Sequence, residues 1–205
     1  MNILITGGSG YLANSLANFL SLRGMSITLA SRGKIDKLYT DGIRVIKIDW
    51  ESQESINNIL KNQEIVIHAA GMNAIESALR PSDAIKYNST YTQKLSSSAK
   101  NFNIQKFIYF STAHVYRSPL LGIINERSAI TNDHPYAQSH YLAEKLAIEE
   151  LDNSNVKLYN LRISNIFGPP SNNSSNCWNL IINYICSEAI KSGKVQLKNN
   201  GNQIR

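Results

Sequence analysis

Short β-rich apolar runs separated by stretches of helical periodicity recur through most of the chain, and this alternation narrows the fold more than any other feature. The runs are Asn2–Thr6, Ser26–Ala30, Arg44–Ile48, Glu64–His68, Lys106–Phe110 and Val156–Leu161. Helical spacing marks Leu12–Leu22, Ser55–Leu60, Pro81–Asn101 and Tyr141–Leu151. Strands that are apolar on both faces belong in a parallel sheet covered by helices on either side. Right-handed crossovers then favour a doubly wound α/β sheet, the Rossmann fold, over residues 1–170. After Gly168-Pro169-Pro170 come a polar loop, Ser171–Asn176, an amphipathic helix around Trp178–Ile190 and a short strand, Val195–Lys198. Residues 171–205 read as the beginning of a small C-terminal substrate lobe that is incomplete, apparently truncated, at Arg205.

Composition removes several function classes. With 42% apolar and 18% charged residues the chain is that of a globular enzyme. Its net charge of +6 is scattered rather than gathered into a basic stripe, so no nucleic-acid partner is expected. Neither a membrane-length apolar run nor a signal-peptide pattern is seen, which points to a cytoplasmic protein without a membrane partner. Cys177 and Cys186 lack the spacing of a metal site and read as reduced bystanders, with no metal expected.

The first turn is the most informative loop. Thr6-Gly7-Gly8-Ser9-Gly10-Tyr11-Leu12-Ala13 links the first strand to the first helix. Gly7 permits a tight turn, Gly10 lets backbone N–H groups approach a pyrophosphate, and Ala13 is small enough for helix–strand contact. The diphosphate would rest at the helix N-terminus, so Gly7, Gly10, Tyr11, Leu12 and Ala13 are candidate cofactor residues. At the end of the second strand stand Ser31 and Arg32, where an acidic side chain would select NAD. A guanidinium there suits a 2′-phosphate, so NADP is preferred and NAD possible, unless Arg32 is only a surface residue. Asp49 and Trp50 close the third strand near the expected adenine. Ala69, Ala70 and Gly71 follow the fourth and are small enough for a cofactor to cross them.

Two further segments carry chemistry. Tyr141 and Lys145 are spaced i, i+4, which puts phenol and ammonium on one helix face and favours the phenolate. Tyr136 has His140 at the same spacing and is not expected to compete for this role. Ser111 and Thr112 follow the fifth strand, where Thr112 would hydrogen-bond a substrate oxygen.

Taken together, the chain resembles the extended short-chain dehydrogenase/reductase family, in its NAD-dependent epimerase/dehydratase branch. The resemblance is carried by TGGSGYLA, HAAG (68–71), KYNST (86–90), FIYFSTAHVY (107–116), YLAEK (141–145) and LRISNIFGP (161–169), in that order. It implies hydride chemistry on a nucleotide-activated sugar, with Tyr141 as general acid/base and Lys145 lowering its pKa and binding the cofactor ribose. Thr112 would orient the substrate oxygen and Asn88 would support the cofactor site. Ser111, Asn165 and Arg205 would meet the substrate, and a homodimer would form through helices such as Pro81–Asn101 and Tyr141–Leu151. Ala113-His114 replace the acidic pair that dehydratases of this branch carry, so reduction or epimerisation is expected instead. A non-catalytic dinucleotide-binding module is the alternative.

Overall fold

The computed structural model describes residues 1–33, 42–116, 122–171 and 177–196. Six parallel strands form one sheet: β1 (Asn2–Thr6), β2 (Ser26–Ser31), β3 (Arg44–Lys47), β4 (Ile65–His68), β5 (Lys106–Thr112) and β6 (Lys157–Ile163). Their order is β3-β2-β1-β4-β5-β6, the doubly wound arrangement expected. The six strand runs expected between Asn2 and Leu161 are present, with ends within a residue or two.

Apolar side chains on the two faces of β1 build two cores. Leu4 belongs to one, with Val66, Phe107, Tyr109 and the inward residues Ile56, Ile59, Leu95 and Ala143 of the covering helices. Ile3 and Ile5 belong to the other, with Ile27, Leu29, Ile67, Ala13 and Ala17. The layers therefore follow from alternate side chains pointing to opposite faces of each strand.

The helices are α1 (Tyr11–Ser21), α2 (Gln53–Leu60), α3 (Ala74–Leu79), α4 (Pro81–Ala84), α5 (Tyr91–Ala99), α6 (Pro135–Leu151) and α7 (Ile181–Ser192). Between α4 and α5 the residues Ile85–Thr90 form a π-helical turn. Ser52 caps α2 by accepting from the Ser55 N–H, and Asn73 caps α3 by accepting from that of Glu76.

Helix α6 starts six residues before the Tyr141 expected to open it. His134 caps it through Nδ1, which accepts from the Tyr136 N–H, and Pro135 occupies its first turn. The amphipathic helix near the C-terminus is present as α7, and Gly193 ends it in the left-handed region. Val195 and Gln196 are not in a strand; the remainder of the expected Val195–Lys198 strand, and Arg205, lie outside the described residues. No described helix is long and apolar enough to cross a membrane.

Candidate active site

The carboxyl ends of β1, β2, β4 and β5 converge on one edge, where open α/β sheets bind ligands. Gly7 sits there at φ +80, and a Cβ on it would lie 2.7 Å from the Ala69 carbonyl oxygen. That close approach welds the β1 turn to the end of β4 and leaves only glycine acceptable. Gly10 donates its N–H to the Gly7 carbonyl at 2.7 Å and precedes α1 with no side chain to cap it. The result is a backbone-walled turn facing a helix N-terminus, which fits a diphosphate. Ala13 is buried with Ile3 and Ile5, the helix–strand contact expected of it. Tyr11 does something else: its hydroxyl donates to the Gly168 carbonyl at 2.8 Å, tying α1 to the loop after β6. Leu12 is half-buried.

Farther along the edge, Ser31 is buried and its hydroxyl accepts from the Gly33 N–H. Arg32 is exposed, its guanidinium carbon 4.6 Å from the centre of the Tyr87 ring. The exposed Asp49 carboxylate accepts from the Glu51 N–H. Trp50 was expected near the adenine, but its ring is a core group, stacked on Tyr91 at 5.2 Å. Glu51 takes the neighbouring cations: Lys86 and Lys94 hold its carboxyl down to about 2. Ala69 and Ala70 are half-buried and Gly71 is exposed, giving a low floor over β4. Asn88 lies beneath Gly71, accepting from the Met72 N–H at 2.6 Å and donating to Ser139 Oγ at 2.9 Å. It fastens the π-helical turn to α6.

Two tyrosines of α6 stand near this edge, and Tyr136 is the one whose ring packs on buried His140, with ring centres 4.5 Å apart. At about 100° per residue, Tyr141 is roughly 140° around α6 from Tyr136. Tyr141 and Lys145 do pair, with Lys145 Nζ 4.9 Å from the ring centre, but on the outer flank where Lys145 is exposed. The inward face carries Tyr136, His140, Ala143, Glu144, Ala147 and Leu151. His140 therefore occupies the position below the inward tyrosine that Lys145 holds below Tyr141. Burial pushes the Tyr136 phenol up, and the contact with Thr112 partly opposes the rise.

Ser111 also differs from expectation. It is buried, and its hydroxyl donates to Glu144 rather than facing the ligand edge. Glu144 meets Arg162 of β6 at 2.7, 3.0 and 3.2 Å, and Arg162 reaches the Tyr116 hydroxyl at 3.0 Å. This ion pair clamps α6 to β5 and β6. Asn165 is exposed beyond β6. Among the described residues no group of three or more His, Cys, Asp or Glu side chains could hold a metal.

A sequence profile of the NAD dependent epimerase/dehydratase family matches residues 3–205. The chain belongs to that family. A dTDP-D-glucose 4,6-dehydratase of Dictyostelium discoideum is 27% identical over 191 residues, covering 82% of this chain and 44% of its own length. A UDP-glucose 4-epimerase of Bacillus subtilis is 28% identical over 158 residues, 71% of this chain and 47% of its own. The chain spans about half the length of these family members. MoeE5, solved with UDP-glucose and NAD, superposes with a TM-score of 0.83 at 21% identity over 99% of this chain and 66% of its own. The two share a fold.

Buried histidines under this site make a pH-dependent family member. Burial holds His68 down to about 3, with His140 contributing, and His140 itself down to about 4. Both exceed the acidity of an unfolded histidine near 6.5, so the unfolded chain binds more protons below that value. Stability is then complete above about pH 6.5 and falls toward pH 4, by up to ~1.4 kcal/mol per histidine per pH unit. Denaturant unfolding at pH 7, 6 and 5 should show this decline together with proton uptake approaching two. A flat profile would mean that both imidazoles are solvated.

Proposed function

We propose that this chain binds a nicotinamide dinucleotide along the carboxyl edge of the sheet and performs hydride chemistry on a nucleotide-activated sugar, with Tyr136 as the acid/base group. The observation that carries this reading is the place of the Tyr136 ring, 4.5 Å from His140 and 6.2 Å from His114 in the turn that Thr112 caps, at the same sheet edge as the glycine floor of β1 and β4. Gly7, Gly10 and the start of α1 would hold the diphosphate, and Ala69, Ala70 and Gly71 the chain of the cofactor beyond it. Bound there, the dinucleotide supplies or takes up hydride. Thr112 orients the substrate oxygen, and Tyr136 gives or removes its proton. Asn88 positions α6 through Ser139. The likeness to enzymes of UDP-glucose and dTDP-glucose supports a nucleotide-sugar substrate.

For the cofactor, NADP is favoured over NAD. Arg32 presents a guanidinium at the end of β2, restrained over the Tyr87 ring, and can bond a 2′-phosphate with two N–H groups. Neighbours of the same fold are solved with NAD, so the preference concerns this site rather than the family.

Calorimetric titration with NADP(H) and NAD(H), followed by nucleotide sugars with the nicotinamide absorbance as readout, tests both statements. Tight binding of NADP with hydride transfer to or from a nucleotide sugar is expected. Absence of binding by either dinucleotide refutes the function, and equal affinities refute the NADP preference.

A further inference from the structure

Helix α7 is held to the sheet by a polar group rather than an apolar one. Ile181, Ile182 and Ile190 are exposed, and among the described residues no α7 side chain belongs to either core. The one buried residue of the helix is Asn183, 5% exposed. Its amide grips Gly168, in the loop that follows β6, at both backbone groups. Oδ1 accepts from the Gly168 N–H at 2.9 Å, and Nδ2 donates to the Gly168 carbonyl at 3.0 Å. An N–H can only donate and a carbonyl can only accept, so the amide has a single orientation. The same carbonyl accepts a second hydrogen bond from the Tyr11 hydroxyl at 2.8 Å. Both of its lone pairs are thereby filled, one from α1 and one from α7.

We propose that Asn183 is a positioning residue that docks α7, through Gly168 and Tyr11, on the turn that holds the dinucleotide, so that helix and dinucleotide fix each other in place. This rests on the reading of Gly7, Gly10 and the start of α1 as the diphosphate site. Tyr11 is the first residue of α1, so its N–H belongs to the unpartnered first turn that faces the diphosphate. The residue whose backbone meets the anion is therefore the one whose hydroxyl reaches Gly168. One turn farther along α1, Ser15 Oγ lies 3.1 Å from Ser171 Oγ, so the loop after β6 follows this face of the helix. Gly168 has φ +132, which favours glycine, and an added Cβ would sit 3.4 Å from the Tyr11 hydroxyl.

The coupling follows from what each side orders. With a dinucleotide at the α1 N-terminus the Tyr11 backbone is fixed, and with it the hydroxyl that closes the bond to Gly168. Gly168 held in this way presents its N–H and its carbonyl at the spacing the Asn183 amide requires. In the other direction, α7 docked on Gly168 leaves Tyr11 less freedom to lose when the dinucleotide binds. Linkage makes the two effects equal in size. An apolar contact tolerates sliding, whereas two hydrogen bonds from one planar amide to one residue set both position and direction.

Amide hydrogen exchange over peptides covering Ile181–Ser192, read by mass spectrometry, tests this. Saturating the parent with NADP, or with NAD, should slow exchange in α7 by about fivefold or more. In Tyr11→Phe at full occupancy, checked by calorimetry, that slowing should vanish. Without ligand, Tyr11→Phe and Asn183→Leu should each speed α7 exchange, and Asn183→Leu should raise the dinucleotide Kd by about the factor of the parental slowing. Binding that leaves α7 exchange unchanged in the parent overturns the proposal, and that measurement stands even where a variant misfolds. Slowing that persists in Tyr11→Phe overturns it too, because a direct contact or a general stiffening then accounts for the effect. So does a parental exchange rate in ligand-free Asn183→Leu. These outcomes leave the proposed function standing, whereas absence of binding by either dinucleotide refutes both.

Discussion

A Tyr136→Phe chain is expected to bind the dinucleotide as the parent does while losing about 10²–10⁴-fold in turnover, the usual worth of a positioned acid/base group. Tyr141→Phe is expected to stay near the parental rate. The pair of variants separates two readings of one helix. Tyr141 has a lysine at the spacing that chemistry favours, whereas Tyr136 has the inward position and the ring contact with His140. Single-turnover measurement of nicotinamide absorbance, with cofactor affinity measured in parallel, distinguishes a lost proton donor from a lost binding site. A Tyr141→Phe chain that loses turnover while Tyr136→Phe retains it would return the role to the outer flank of α6.

Arg162→Met is expected to remove about 3–5 kcal/mol of stability, because it leaves the Glu144 carboxylate buried without its counter-ion. Glu144 is 2% exposed, so water cannot replace the lost partner. The double variant Arg162→Met with Glu144→Leu should recover much of the loss, since an apolar pair of similar size avoids the desolvation cost of two ions. Ser111 would then need a new acceptor, which limits the recovery. Denaturant midpoints of parent, single and double variants measure the effect. A loss below about 1 kcal/mol in the single variant would place the pair in the class of solvent-screened ion pairs.

The six strands and their order were legible because both faces of this sheet are apolar, and short β-branched runs bounded by turns mark such strands plainly. The first turn was equally legible, since Gly7 must accept a positive φ and Ala69 presses against it. The start of α6 was not read correctly, although His134 and Pro135 carry the cap-and-proline signature of a helix beginning there. Beginning that helix at Tyr141 hid its inward stripe of Tyr136, His140, Ala143, Ala147 and Leu151, whose spacing turns Lys145 outward. The Tyr–Lys pair was a local pattern, and a local pattern does not say which side of a helix meets the sheet. Trp50, Ser111 and Tyr11 show a related limit of local reading. Their positions lie at strand ends near the ligand edge, but their side chains found partners in Tyr91, Glu144 and the Gly168 carbonyl. The buried hydrogen bonds of Thr6 with His68 and of Tyr109 with His140 join residues far apart in the chain and have no signature in it.

The π-helical turn at Ile85–Thr90 marks a place where this gene can drift in length. Its wider winding is what one additional residue does to an otherwise regular helix. The turn absorbs that residue, so the helix beyond it keeps Tyr91, Leu95 and Ala99 in the core they fill. Removing it would restore regular winding without turning those side chains away. Loops on the surface gain or lose residues over generations at small cost, and at this one turn a helix can do the same.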